Sequence, residues 1–137
     1  MNWYLKVIKD NYANFSGRAR RQEYWMFNLF HIIIIFILAF IGGMLGAELD
    51  SGFGIIPLII YVLATFIPAL GVTVRRLHDT GKSGWYYLLS LIPYIGGIIL
   101  IVFTVQNGDV GSNKYGSDPK NPELDNEIDD IGKPLLD

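Results

Sequence analysis

Three long apolar stretches set the pattern of this chain. Residues 24–47, 51–74 and 83–108 contain no Asp, Glu, Lys or Arg, and together they hold 74 of the 137 residues. A helix rises about 1.5 Å per residue, so each of the first two runs reaches about 36 Å, enough to cross a hydrocarbon core about 30 Å thick. Each therefore predicts one membrane-crossing helix. The third reaches about 39 Å as one helix, and two full crossings would need roughly 40 residues. Apolar and polar positions do not alternate, which excludes barrel strands. The stretch from His31 to Leu38 is apolar on every side, as contact with lipid or a helix bundle requires. The leader before the first run carries Asp10 and Glu23, which argues against a secretory signal.

Prolines and glycines punctuate the runs. Pro57 suits the first turn of the second helix, and Pro68 lies inside it and should kink it. Pro93-Tyr94-Ile95-Gly96-Gly97 interrupts the third run near its middle. Two shapes remain open there: a kinked span, which is the expectation adopted, or a re-entrant hairpin that leaves on the side it entered. Ala39, Gly43 and Ala47 recur every four residues and offer a small-residue face for helix packing, as do Gly42 and Gly46. Before the first run, Tyr4, Leu5, Ile8, Tyr12 and Phe15 recur at helical spacing. They predict an amphipathic helix of about three turns lying in the headgroup plane, or a short cap packed on the bundle.

The expected fold is thus an all-α integral membrane protein. It has three transmembrane helices over about 24–47, 51–74 and 85–106, the third kinked or re-entrant, and an N-terminal amphipathic interfacial helix. Residues 1–120 form a single multi-spanning membrane domain, and 121–137 an acidic, flexible tail. Composition agrees. Hydrophobic residues make up 51% and charged ones 18%, where a soluble domain carries about a quarter charged. That excludes a water-soluble globule with one core, and a disordered chain. No cysteine is present, which excludes a disulfide scaffold, and two histidines make no zinc set. Neither a metal nor a cofactor is expected.

Charge adds an orientation. The first 23 residues carry net +3, and the segment 75–82 carries net +2 through Arg75, Arg76 and Lys82 against Asp79. The first connection holds Glu48 and Asp50, and the chain from residue 109 on carries net −5. Basic residues stay cytoplasmic in short loops, so the N-terminus and second connection should lie inside. Acidic residues say little about side. Tyr24 and Trp25 open the first run, and Trp85 and Tyr86 the third, as interfacial anchors do.

Three polar motifs flank the runs. Phe15-Ser16-Gly17-Arg18-Ala19-Arg20-Arg21-Gln22-Glu23-Tyr24-Trp25 precedes the first. Arginines just inside a bilayer attract anionic headgroups by about 1 kcal/mol each. Arg75-Arg76-Leu77-His78-Asp79-Thr80-Gly81-Lys82-Ser83-Gly84-Trp85 separates the second and third. Its Gly81-Lys82-Ser83 is not a P-loop, because Arg76 stands where the first glycine belongs and no strand precedes it. His78 beside Asp79 suggests acid–base chemistry, but no nucleophile accompanies them. Gly111-Ser112-Asn113-Lys114-Tyr115-Gly116-Ser117-Asp118-Pro119 is a compact, turn-rich segment. His31 is the one group inside a span that ionises near neutral pH, and a structural role is expected for it.

These three ordered motifs, over roughly residues 1–120, resemble the domain of unknown function 805 family of YhaH-like small bacterial inner membrane proteins. The family pattern ends Tyr-Gly-Pro-Asp-Pro, and Ser117 replaces its first proline. The resemblance implies a multi-pass protein of the bacterial inner membrane and no established activity. The functional expectation is a non-enzymatic module binding anionic lipid or a membrane protein partner, with no nucleic acid. Arg18, Arg20, Arg21, Arg75, Arg76, His78, Asp79 and Lys82 are its candidate contacts. The rivals are a small oligomeric channel or transporter, and an interfacial enzyme acting on lipid phosphate.

Overall fold

The computed structural model describes residues 2–48 and 52–123. The acidic tail expected over 121–137 therefore lies outside the described residues from 124 on, as does Asp50. Among the described residues all regular elements are helical, and one isolated bridge joins Asn113 to Gly116. Helix α1 spans Asn2–Leu5 and continues as a π turn over Lys6–Asp10. Helix α2 spans Arg21–Glu48, α3 Ile56–Asp79 and α4 Ile95–Val105. Two 3-10 segments, Gly52–Ile55 and Gly84–Leu91, precede α3 and α4. The described residues fall in two compact units, the first within Met1–Asn14 and Gln22–Val72, the second within Phe15–Arg21 and Thr73–Asp137.

The first unit holds α2 and most of α3, both long and apolar enough to cross a membrane. Their apolar side chains point outward: Phe36 is 71% exposed, Phe40 70% and Leu63 69%. A soluble domain hides such residues, whereas hydrocarbon accepts them. The 3-10 segment before α3 approaches α2 closely near the far end of that helix. A Cβ on Gly42 would lie 2.3 Å from the carbonyl oxygen of Gly54, so no side chain fits between the two backbones. This contact uses the Gly42 and Gly46 row of small residues. Ala39, Gly43 and Ala47 are exposed, and a Cβ on Gly43 would meet nothing within 4 Å. The neighbouring row of Gly42 and Gly46 faces the 3-10 turn instead. Ala39 and Gly43 line an apolar cleft of about 330 Å³ beside it.

The N-terminal segment packs within this unit as a cap. Tyr4 stacks on Phe27 with ring centroids 5.3 Å apart, and Lys6 bonds the buried carboxylate of Glu23 at 3.2 Å. Tyr12 has a further task. Pro68 sits inside α3 with no N–H to give, which leaves the carbonyl of Ala64, four residues back, without its helical partner. The Tyr12 hydroxyl donates to that carbonyl at 2.6 Å. The helix continues through Pro68 to Asp79.

The third apolar run, in the second unit, does not form one rod. Ser83 caps the 3-10 segment, its hydroxyl accepting from the Trp85 N–H at 3.3 Å. The chain then turns at Pro93-Tyr94. Tyr94 has φ 65° and ψ −49°, and the N–H of Ile95 donates to the Pro93 carbonyl at 2.7 Å. That is a γ-turn of the rare, strained hand. Tyr86 packs edge-on against Phe103 at 5.7 Å. The two ends of the run meet, with Lys82 Nζ 3.0 Å from Gln106 Oε1. A continuous helix would hold those residues about 36 Å apart. Helix α4 itself is about 16 Å long, half of a hydrocarbon core.

Candidate functional site

The second unit gathers the three polar motifs into one knot. Two guanidinium groups grip a single carboxylate: Arg18 Nε donates to Asp79 Oδ1 at 3.1 Å, and Arg76 Nη1 donates to Asp79 Oδ2. The three side chains are at most 2% exposed. Their remaining donors go to backbone carbonyls. Arg18 Nη1 donates to Gly111 and Gly116, and its Nη2 to Asp109. Arg76 Nε donates to Thr104 at 3.0 Å, and its Nη2 to Gln106. A planar fork with five donors suits this arrangement in a way a lysine would not. Two cations against one anion leave a positive excess, and the carbonyl dipoles oppose it.

The segment after α4 reaches these arginines because small residues let it. A Cβ on Gly108 would sit 2.1 Å from Asp79 Oδ2. The N–H of Asp109 donates to the Asp79 carbonyl at 2.7 Å, which stitches the segment to the end of α3. Beyond it, Asn113 and Gly116 exchange two backbone bonds of 3.0 Å, and the Asn113 side-chain oxygen accepts from the Tyr115 N–H at 2.9 Å. Asp118 closes the loop, its carboxylate accepting from the N–H groups of Gly111 at 3.1 Å and Lys120 at 2.9 Å. Burial pushes the Asp118 carboxyl up, but those two N–H groups and the Arg18 charge outweigh it and hold it below the usual carboxylate range.

His78 and Asp79 do not work together. His78 Nδ1 lies 3.1 Å from the Gly17 carbonyl, so it carries the hydrogen and donates. The ring stacks on Tyr115 at 3.9 Å, nearly parallel. Asp79 turns to the two arginines. The acid–base dyad suggested by their adjacency is absent, because consecutive residues at the end of α3 point to different neighbours.

The candidate contacts thus separate. Arg18, Arg76 and Asp79 are buried and committed to one another. Arg75 is also buried, 3% exposed, and its carbonyl accepts from the Ala19 N–H at 3.0 Å. Lys82 bonds the Thr80 carbonyl and Gln106. Arg20 is half-buried and Arg21 exposed, and the side chain of neither enters an ion pair among the described residues. Trp85 is 78% exposed, Trp25 and Tyr86 are exposed, and Tyr24 is half-buried with an edge contact to Trp25. Sequence reasoning missed the acceptors, since the carbonyls of Thr104, Gln106, Asp109, Gly111 and Gly116 belong to the backbone and carry no residue signature. It also missed Tyr61, whose hydroxyl lies 2.9 Å from Nδ1 of His31. Among the described residues no group of His, Cys, Asp and Glu could hold a metal ion.

Comparison with known proteins finds relatives of this chain by sequence. The family described as "Protein of unknown function (DUF805)" matches residues 12–117. The chain is 52% identical over 120 residues to inner membrane protein YhaH of Escherichia coli K12, covering 88% of this chain and 98% of the relative. It is 50% identical to inner membrane protein YhaI of the same strain, covering 88% and 97%. An uncharacterized protein of that strain, YiiR, is 25% identical over 138 residues, covering 82% and 90%. No solved structure matches significantly.

Proposed function

We propose, for a chain that belongs to the DUF805 family, a non-enzymatic module of the bacterial inner membrane that binds anionic lipid headgroups at its cytoplasmic face. Its relatives are named inner membrane proteins, and its own two long apolar helices fit that location. In this reading α2 and α3 each cross the membrane, the N-terminus lies inside, and the run 84–105 enters and leaves one leaflet as a hairpin. The meeting of Lys82 with Gln106 supports the hairpin. The net charges of +3 before α2 and +2 after α3 support the orientation.

One observation carries the lipid reading. The knot consumes Arg18 and Arg76, while Arg20 and Arg21, at the head of α2, have no ion-pair partner among the described residues. Guanidinium forks at the headgroup level take phosphate oxygens bidentately. Trp25 and Trp85 anchor beside them at the interface. The enzyme reading loses its support with the divergence of His78 and Asp79.

Native mass spectrometry of the full chain, released from nanodiscs of phosphatidylglycerol or phosphatidylcholine, tests this. Wild type should retain the anionic lipid preferentially, and the Arg20→Gln, Arg21→Gln double variant should retain about thirtyfold less, given about 1 kcal/mol per arginine. High salt should weaken retention likewise. Equal retention of both lipids by wild type refutes the reading.

A further inference from the structure

The first unit holds a second set of polar groups, which the lipid reading leaves unused. Tyr4 Oη and Tyr61 Oη are 2.9 Å apart, and Tyr61 Oη is 2.9 Å from Nδ1 of His31. The three come from α1, α3 and α2 in that order, and all are half-buried. Phe27, one turn before His31, stacks at 12° on Tyr4 and at 13° on His31, and holds the line straight. No carboxylate among the described residues bonds to any of the three. Lys6 and Glu23 form an ion pair in this unit at 3.2 Å, apart from the three.

The chemistry of such a line is restricted. A phenol has one hydrogen to give and lone pairs to accept with, and an imidazole nitrogen does one or the other. With Nδ1 bare, the hydrogens must run from Tyr4 to Tyr61 to His31. With Nδ1 protonated, they must run the opposite way, and the Tyr4 hydrogen then points out of the line. With the Nε2 hydrogen kept throughout, the two orders differ by one proton and by no movement of a heavy atom. His31 lies seven residues past Tyr24, about 10 Å deeper along α2. An ionisable group at that depth costs free energy, and such groups mark proton pathways more often than lipid-facing packing.

We infer that Tyr4, Tyr61 and His31 form a proton relay that loads His31 from the membrane surface. A proton from hydronium or a buffer acid forms a new O–H bond at Tyr4 Oη. The hydrogen already on Tyr4 passes to Tyr61 Oη, and that of Tyr61 passes to Nδ1. The products are one imidazolium and the conjugate base of the donor, and both phenols end neutral. The binding site so defined is for a proton, and the entry point is Tyr4.

The test uses the full chain with 15N-labelled histidine in lipid nanodiscs. The chain has two histidines, so His78 serves as an internal control, with signals assigned through His31→Gln. On acidification from pH 8 to 5, His31 should become imidazolium, and its Nδ1 hydrogen should exchange with water. Tyr4→Phe keeps the ring stack and the Tyr61–His31 bond, yet should slow that exchange at least tenfold, with His78 unchanged. Tyr61→Phe should do the same, and where it fails to fold, Tyr4→Phe decides. Exchange that is unchanged in Tyr4→Phe, or a His31 that stays neutral throughout, overturns the relay and leaves the line as a brace for α1.

Discussion

Replacing Tyr12 by Phe removes one hydroxyl and leaves the ring. In the folded chain that hydroxyl donates at 2.6 Å to the Ala64 carbonyl, which Pro68 deprives of its helical donor. Ala64 lies on the apolar face of α3, where hydrocarbon offers no replacement for the lost bond. An unsatisfied carbonyl costs about 1–3 kcal/mol. At roughly 4 °C per kcal/mol, the melting temperature should fall by about 4–12 °C. Lost packing elsewhere could mimic such a fall, so the decisive experiment is a cycle with Pro68→Ala. Alanine at 68 restores an N–H four residues beyond Ala64, and the carbonyl regains its ordinary partner. Tyr12→Phe should then cost much less, with a coupling of about 1 kcal/mol or more between the two positions. Reversible unfolding in mixed micelles measures all four corners. Additive effects, within about 0.3 kcal/mol, would refute the claim that Tyr12 repairs the proline.

Asp79→Asn leaves two buried guanidiniums facing one another and should destabilise the chain by about 3–5 kcal/mol, read as a drop in melting temperature. Asp118 ionises below its usual range, so its stabilisation is present at neutral pH and above about 3.9, and disappears as pH falls through the folded value. Limited proteolysis after residue 106 should therefore rise on acidification, and Asp118→Asn should show that susceptibility already at neutral pH. Gly42→Ala places a methyl against the Gly54 carbonyl and should cost about 1–3 kcal/mol in thermal unfolding, whereas Gly43→Ala, with open space around it, should cost almost nothing. Under the proposed topology, in which the chain returns to the cytoplasmic side of Lys82, a reporter fused to the C-terminus should be active only in its cytoplasmic form, and activity of the external form would restore a third crossing.

The first two apolar runs were legible because their length and lack of charge admit few alternatives, and α2 and α3 follow them within a few residues. The break in the third run was legible too, in Pro93 and Gly96. Its consequence was not, because a kink and a hairpin use the same breakers, and the choice rests on whether Lys82 finds Gln106. The three motifs could be read as separate patterns, and their meeting could not. Arg18 and Arg76 have the composition of a lipid-binding motif, and only the position of five carbonyl groups shows that they face inward. The glycine rows of α2 had equal claims by spacing, and the turn at Gly54 chose Gly42 over Gly43.

The Arg18 contacts also impose an order in time. Its ion-pair partner lies 61 residues downstream, and its carbonyl acceptor at Gly111 lies 93 residues downstream. A ribosome adding about 5–20 residues per second takes roughly 5–20 s to cover the longer gap. Through that interval α2 and α3 are being synthesised while Arg18 is still an open charge, and under the orientation proposed above that charge holds its end of α2 back from translocation. Only when the segment around Gly111 emerges does the guanidinium withdraw from water. On that proposal the same side chain acts first as an address during synthesis and then as a clasp in the finished protein, and the clasp cannot close before the segment around Gly111 exists.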